Sequence, residues 1–195
     1  LQIPIIRKAK DMGHFVIAAD GNPNACGFAY AHKAICSDIT SEEGMLKIAI
    51  EENIDGVIHP CSEVSMNVMG YINDILKLSG ITKAQALQAT NKHLMRRAFE
   101  SYNAPSPKSI LTTSSNDAWL KWENDFDNNA ILKPSRNSGS RGIAKIEKNI
   151  SKKKFLELYD RALSESKDDS VLIEDFIEGP EFSVEIIVWN NRINV

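Results

Sequence analysis

The sequence has no apolar run that approaches the roughly 18 residues needed for a membrane-spanning helix. It is also poor in cysteine: Cys26, Cys36 and Cys61 are odd in number and show no paired C-x-x-C spacing. This argues against a structural zinc site or a dithiol exchange motif. Such cysteines suit a reducing compartment, and we expect a cytoplasmic protein without a membrane partner.

The chain also lacks a strong excess of charge of one sign. Its formal net charge is −3 over 195 residues, and 43% hydrophobic with 25% charged residues is an ordinary globular composition. The net charge of the chain does not attract nucleic acid, so we expect no nucleic-acid partner. Any site for an anion must therefore depend on a local cluster of positive charge. The phosphate motifs G-x-x-x-x-G-K-[S/T] and G-x-G-x-x-G are both absent.

The first half of the chain alternates helices with short apolar strands. The pattern predicts helices over 2–12, 41–53 and 62–78, and strands over 15–19 and 55–60. Gly13 ends the first helix, and the strand 15–19 is apolar enough to be buried on both faces. Such alternation is typical of a mostly parallel sheet covered by helices. Because this region opens on a helix, we expect its first strand to be missing.

The pattern changes near residue 90, where we place a domain boundary between 1–89 and 90–195. Thr90 or Asn91 is a plausible N-cap for the next helix, which the prolines at 105 and 107 bring to an end. The remaining elements are predicted as helices 115–124 and 151–165 and strands 108–112, 130–133, 143–147, 171–175, 181–188 and 192–195. Strand pairs around glycine-containing turns indicate an antiparallel sheet with helices, an α+β arrangement.

A short cationic loop, "KPSRNSGSRG" at 133–142, lies between two apolar strands. Glycine allows backbone angles that let successive N–H groups converge on one anion, and Arg136 and Arg141 add forked donors. These residues favour a polyphosphate ligand. The alternative is a solvated hairpin whose charges serve only solubility.

Two acidic residues bracket a later turn. Glu174 ends an apolar strand, and Glu181 follows Gly179-Pro180 within "VLIEDFIEGPEFSVE" at 171–185. Together they could accept hydrogen bonds from the hydroxyls of a ribose and the amine of a base. The alternative is a pair of exposed carboxylates at strand ends.

Three segments, in this order and spacing, resemble the ATP-grasp superfamily: "NKHLMRRAFESYNAPSPKS", "AILKPSRNSGSRGI" and "VLIEDFIEGPEFSVE". The resemblance is greatest to carboxylate–amine ligases related to the carbamoyl-phosphate synthase large subunit and biotin carboxylase. The upstream segments "AADGNPNACGFAYAHKAICSDIT" and "IDGVIHPCSEVS" resemble the Rossmann-like domain that precedes ATP-grasp in that group. The implied fold is α/β: a Rossmann-like pre-ATP-grasp domain, then an α+β ATP-grasp domain whose second subdomain starts near 171, truncated at both ends.

The resemblance implies roles for the cationic residues. Lys92 would contact the ATP phosphates, and Lys133 would reach the α and β phosphates and the adenine edge. Arg136 and Arg141 would add charge to a flexible loop that closes over the β and γ phosphates. The loop positions that match the family are Ser138, Gly139, Ser140 and Gly142.

The resemblance also implies an adenine and ribose side. Glu174 matches the segment that binds adenine between the subdomains, and Glu181 matches the ribose-binding acid. The same adenine segment would contribute the backbone of Asp175, Phe176 and Ile177.

The activity that the resemblance implies depends on ATP and Mg²⁺. A carboxylate attacks the γ-phosphate to give an acylphosphate, and an amine or similar nucleophile then displaces phosphate, so the partners would be small carboxylate and amine substrates. Metal ligands are expected beyond Val195, and we expect the 195-residue chain alone not to turn over. Many members of this group are dimers, which makes a homodimer one option.

Two other functions stay open at this point. The chain could be a degenerate ATP-grasp module that binds nucleotide without catalysis. It could also be a Rossmann-type dehydrogenase in which Asp20, at the carboxyl end of a predicted strand, binds a ribose.

Overall fold

The computed structural model describes residues 2–59, 63–137, 139–189 and 192–194. Its helices are α1 (Ile3–Asp11), α2 (Glu42–Glu51), α3 (Met66–Leu76), α4 (Lys83–Thr90), α5 (Lys92–Ser101), α6 (Ser115–Asp125) and α7 (Lys152–Ser164). Its strands are β1 (Ile17–Asp20), β2 (Lys33–Cys36), β3 (Ser109–Thr112), β4 (Ala130–Pro134), β5 (Ala144–Ile146), β6 (Val171–Asp175), β7 (Ile187–Trp189) and β8 (Arg192–Asn194). None of these helices has both the length and the apolar character required to cross a bilayer.

The N-terminal region contains one small parallel sheet. β1 pairs with β2 in parallel, with Ile17 opposite Lys33, and α2 packs against α3 through Ala49, Val68 and Ile72. The mixed α/β character is confirmed. The strand predicted over 15–19 is observed at 17–20 and is only half-buried at all four residues, so the predicted burial on both faces is wrong.

The strand predicted over 55–60 is wrong for the part that the structure describes. Residues 55–59 form no strand, and residue 60 lies outside the described range. Val57 packs against the apolar residues between α2 and α3, whereas Ile58 is 72% exposed. This short apolar run is therefore only partly buried. β2 was not predicted, because its apolar run, Ala34 to Cys36, is only three residues long.

Two capped helices lead from this region into the next. Thr82 and Gln85 form a capping box at the start of α4. The Asn91 side chain then accepts the N–H of Leu94 at the start of α5. Of the two predicted N-caps for α5, Asn91 is therefore correct, and Thr90 is the last residue of α4.

A four-stranded antiparallel sheet organises the second half, in the order β3-β6-β4-β5. This confirms the predicted antiparallel arrangement. Helices α6 and α7 cover one face of the sheet. The buried residues of this core are Ala118, Trp122, Phe126, Ala130, Leu132, Ile146, Phe155, Tyr159, Ala162, Val171 and Ile173.

The other face of the sheet carries charge. Successive side chains of a strand point to opposite faces, so Lys133 on β4 and Glu174 on β6 lie opposite the α6–α7 core. Helix α5, which contacts β3, brings further side chains to this face. The sheet therefore separates an apolar core from a charged site.

The segment after β6 is irregular for longer than predicted. Residues 176–186 form no strand, and β7 begins at Ile187 and pairs with β8 in antiparallel fashion. Glu181 therefore does not start a strand.

Candidate functional site

Glu174 is the centre of a buried ion-pair cluster. It is 2% exposed, and its carboxylate accepts two hydrogen bonds from Arg96, Nε to Oε1 and Nη2 to Oε2, both at 3.0 Å. The ammonium of Lys133 also contacts Oε2. We call Arg96, Lys133 and Glu174 the ion-pair cluster. The sequence analysis assigned Glu174 to the segment that binds adenine. In the structure its side chain forms ion pairs with two cations of the same chain.

Arg96 was missed by the sequence interpretation. It lies four residues after Lys92 on α5, and side chains at this spacing share one face of a helix. The spacing from Lys92 was therefore a sequence signal for Arg96, because a second cation one helical turn later lies on the same face of α5.

Lys92 is held at the junction between α5 and the end of β4. Its backbone N–H donates to the Ser135 carbonyl at 3.0 Å, and its ammonium donates to the Asn137 carbonyl at 2.7 Å. Burial lowers the pKa of Lys92, and nearby Lys133 lowers it further, while Glu63, Glu174 and Asp168 oppose the shift. An anion placed beside this ammonium would relieve the electrostatic cost of its burial.

The predicted cationic loop begins immediately after Lys133. Gly139 and Gly142 both have φ of 72°, and Ser140 has φ of 56°, all in the left-handed region. Arg141 donates from Nη2 to the Asn137 side chain at 3.4 Å. Ser138, the remaining predicted loop residue, lies outside the described residues. A backbone of this kind turns successive N–H groups toward a shared concave side, which suits an anion.

Gly142 is required where the loop rejoins the domain. A Cβ at this position would lie 2.9 Å from Pro134 Cγ and 2.9 Å from Glu165 Cβ, whereas a Cβ on Gly139 would meet nothing within 4 Å. The loop is therefore fixed at one end and open at its tip.

Lys92 and the loop line an open cavity of about 300 Å³. Its lining includes Glu63 from the N-terminal region and the loop residues Gly139, Ser140 and Arg141. We call this the loop cavity. Its lining contains the cations Lys92 and Arg141 together with loop backbone, and groups of these kinds can donate hydrogen bonds to an anion.

A larger cavity of about 460 Å³ adjoins the loop cavity. The two are linked by a contact of 3.4 Å between Thr90, which lines the loop cavity, and Asn67, which lines the larger one. The charged residues that line the larger cavity are Glu42, Lys83, Arg136 and Lys167. Lys83 and Glu42 form an ion pair at 2.6 Å, so Arg136 and Lys167 give the lining of the larger cavity an excess of positive charge.

Asp168 holds the base of the loop in place. Its carboxylate accepts from Ser135 at 2.6 Å and also from the Asn91 side chain at 3.1 Å. Burial acts to raise the pKa of Asp168, but hydroxyl donors from Ser135, Ser166 and Ser170 outweigh it and lower the pKa overall. This network ties the N-cap of α5 to β4, and no sequence pattern marks Asp168 in advance.

The predicted adenine and ribose residues lie after β6. The backbone N–H groups of Asp175 and Phe176 donate to Lys108 and Asn129 carbonyls, both at 3.0 Å. Ile177 is 70% exposed, and Glu181 is also exposed. None of these residues lines the loop cavity.

Asp20, which the dehydrogenase hypothesis assigns to a ribose, caps a turn. Its Oδ1 accepts the backbone N–H of Asn22 at 2.8 Å. The carboxylate thus stabilises the loop after β1, as aspartate commonly does in turns.

Residues 89–195 match the ATP-grasp domain family. The chain is 23% identical, over 187 residues, to a phosphoribosylamine–glycine ligase from Thermococcus kodakarensis, covering 95% of this chain and 43% of the relative. It thus spans less than half the length of this relative.

Two solved structures share the fold over most of the chain. An L-amino acid ligase from Bacillus licheniformis has a TM-score of 0.75 at 17% identity, over 98% of this chain and 46% of its own. The biotin carboxylase domain of a 2-oxoglutarate carboxylase from Hydrogenobacter thermophilus, a dimer with MgADP and bicarbonate, has a TM-score of 0.73 at 16% identity, over 90% and 42%. With its antiparallel sheet, its loop cavity and a family match over more than half its length, the chain belongs to the ATP-grasp family.

Proposed function

We propose that this chain forms the ATP-binding part of a ligase that activates a carboxylate as an acylphosphate for attack by an amine. One observation carries the proposal: Lys92 and the loop backbone line one cavity, beside the ion-pair cluster on the charged face of the sheet. The relatives named above include two ligases, which supports the same chemistry. The motif resemblance to carbamoyl-phosphate synthase favours a small acid as substrate.

In this proposal the loop cavity receives the terminal phosphates of ATP. Lys92 neutralises charge on the β and γ phosphates, and the backbone N–H groups of Gly139 and Ser140 donate hydrogen bonds to them. Arg141 lies at the rim, Ser138 belongs to the same loop, and Gly142 sets the backbone where the loop rejoins the domain. Lys133 contacts the α and β phosphates. Fixed donors of this kind accelerate phosphoryl transfer by positioning and charge stabilisation, so a protein nucleophile is not required.

The adenine and ribose would lie along the segment that follows β6. Glu181 is exposed and can accept from ribose hydroxyls, and Ile177 lies at the surface for an apolar contact with the base. Phe176 is held in place by Lys145, whose ammonium lies 3.8 Å from the ring centroid. The Asp175 carbonyl is the backbone acceptor that we assign to the exocyclic amine of adenine.

The proposed reaction has two steps. A carboxylate oxygen of the acid attacks the γ-phosphorus, the bond from that phosphorus to the β–γ bridging oxygen breaks, and ADP leaves. The amine nitrogen then attacks the acyl carbon, the bond from carbon to the phosphate oxygen breaks, and inorganic phosphate leaves while the amine loses a proton to water. The cations of the site stabilise the charge that develops on the phosphate oxygens.

Mg²⁺ enters this proposal only as the usual partner of the nucleotide. The MgADP named with the biotin carboxylase domain supports it. Within the described ranges no group of three or more His, Cys, Asp or Glu side chains could hold a metal ion. No reaction step is therefore assigned to a metal on these residues.

The domain division and the assembly are part of the same proposal. We place a Rossmann-like domain in 1–89 and the ATP-grasp domain from 90, with its second subdomain from about 171. The junction of α4 and α5 at Asn91 supports the boundary. A homodimer is proposed by analogy with the biotin carboxylase domain, which is named a dimer.

The test is a thermal-shift titration of the full-length protein with Mg²⁺ and ATP, ADP or NAD. A ligand at one hundred times its Kd stabilises the native state by about 2.7 kcal/mol, which raises Tm by several degrees. We expect ATP to raise the Tm of the wild type and of Lys47→Ala but not of Lys133→Ala. Lys47 is the control because its side chain is exposed, whereas that of Lys133 is mostly buried.

Two results would contradict the proposal. A shift with NAD but not with ATP would favour a dinucleotide enzyme. A shift with ATP but no phosphate release with any acid and amine pair would favour a nucleotide-binding module without catalysis.

A further inference from the structure

The ion-pair cluster contains more positive than negative charge. Glu174 supplies one carboxylate, and Arg96 and Lys133 supply two cations. The exposed side-chain fractions are 3% for Glu174, 18% for Arg96 and 15% for Lys133. The carboxylate is thus shared between two cations in a place that water hardly reaches.

The two cations hold the carboxylate in different ways. Arg96 uses a planar fork that bonds both oxygens, and its Nη1 also donates to Ser106 at 3.4 Å. Lys133 makes a single contact, to Oε2, from a flexible stem. A forked arginine is the better fixed partner, whereas a lysine is a point charge that can move to another anion.

We propose that Arg96 is a positioning residue that allows Lys133 to leave Glu174 for a phosphate. This inference rests on the proposed function, in which Lys133 contacts ATP. With Arg96 in place, the buried carboxylate keeps a counterion after Lys133 has moved. Without Arg96, Lys133 is the remaining partner of a buried charge, and its departure would leave that charge unpaired, which is costly.

A simpler role for Arg96 is to fasten α5 to β6 and nothing else. Helix α5 has no fully buried residue of its own, so a clamp of this kind would stabilise the fold. The two roles differ in what happens when Glu174 loses its charge. If Arg96 is only a clamp, making Glu174 neutral does not restore what the loss of Arg96 costs. If Arg96 is the counterion of Glu174, a neutral residue at 174 no longer needs it, and ATP affinity recovers.

The experiment is a double-mutant cycle in the full-length protein with ATP and Mg²⁺ as the probe. Arg96→Gln should raise the Kd for ATP about tenfold, which corresponds to ~1.4 kcal/mol. Arg96→Gln/Glu174→Gln should recover most of that loss, and Arg96→Lys should lie between the wild type and Arg96→Gln. Arg97→Gln is the matched control, because Arg97 is the next residue on α5 and its side chain is 70% exposed. Its Kd should not change.

A second measurement needs no nucleotide. The rate at which an amine-reactive ester modifies Lys133, followed by mass spectrometry of the peptide, reports how tightly its ammonium is held. We expect slower modification in Arg96→Gln and faster modification in the double variant.

The outcomes separate this inference from the proposed function. A lower Tm with unchanged Kd and unchanged modification in Arg96→Gln would overturn the inference, as would a double variant no better than the single one. A wild type that does not bind ATP would overturn the proposed function, and the modification rates would still decide whether Arg96 controls Lys133.

Discussion

The two ends of the candidate site handle charge in opposite ways. In the ion-pair cluster, one buried carboxylate forms ion pairs with both Lys133 and Arg96 inside the protein. In the loop cavity, the Lys92 ammonium donates to a backbone carbonyl, and within the described residues it forms no ion pair with a carboxylate. Burial and the nearby Lys133 lower the pKa of Lys92, because they disfavour its charge more than Glu63, Glu174 and Asp168 favour it.

The difference separates stability from binding. A compensated buried charge stabilises the fold and resists removal. An uncompensated one raises the energy of the free protein and gains most from an incoming anion. Removal of the buried carboxylate Glu174 should therefore act mainly on stability, whereas removal of the Lys92 ammonium should act mainly on nucleotide affinity.

The largest expected effect is on the stability of the ion-pair cluster. Glu174→Leu leaves two buried cations without a counterion and should lower the free energy of unfolding by about 3–5 kcal/mol. Glu181→Leu, on the exposed side of the same turn, should change it by about 0.5 kcal/mol or less. Urea unfolding of both variants checks this. Equal losses would show that burial of Glu174 is not what matters.

The next effect concerns the two ends of the loop. Gly142→Ala forces a left-handed alanine against Pro134 and Glu165, and strain with overpacking should lower stability by about 2–4 kcal/mol. Gly139→Ala has the same φ of 72° but open space around it, so about 1 kcal/mol is expected. Thermal unfolding of the two variants measures the difference, and a more destabilised Gly139→Ala would contradict it.

Removal of the poorly compensated cation should affect binding and leave the fold intact. Lys92→Met should weaken ATP binding about 10- to 100-fold, because charged hydrogen bonds contribute ~1.5–3 kcal/mol each. Its Tm should not fall, since burial disfavours the charge that is removed. Calorimetric titration and a thermal melt check both parts. A large fall in Tm with unchanged affinity would show that Lys92 serves stability and not binding, and would contradict the contrast between the ion-pair cluster and the loop cavity.

The smallest expected effect is a pH dependence. The lowered pKa of Lys92 means that its ammonium loses its proton at a pH below 10.5. A phosphate binds the protonated form, so ATP affinity should fall as pH rises through that lowered value. Lys92→Arg should keep its affinity over the same range, because guanidinium stays charged. Calorimetry across alkaline pH tests this, and identical profiles for the two proteins would contradict it.

Much of the fold could be predicted from local patterns. Asn91 as an N-cap, Gly13 after α1, and the apolar strands β4 and β6 were all predicted and observed. The failures lie where the outcome depends on neighbours. Residues 55–59 have strand-like composition without a strand partner, and β2 has a partner despite weak composition.

Only part of the site could be predicted, because some of its residues depend on distant partners. Lys92, Lys133 and the glycine loop carry local signals of spacing and composition. Arg96 carries only the local signal of its four-residue spacing from Lys92, and Asp168 carries none. The importance of both comes from partners 78 and 33 residues away, Glu174 and Ser135.

The sequence by itself determined most of the local elements and the family, since caps, glycines and apolar periodicity act within a few residues. Only the tertiary structure decided which charges meet. Glu174 and Glu181 look alike in sequence, yet one is enclosed by α5, β4 and β6 and the other lies in solvent. The reason is that the energy of a charge depends on its burial and its counterions, and both are set by the packing of distant segments.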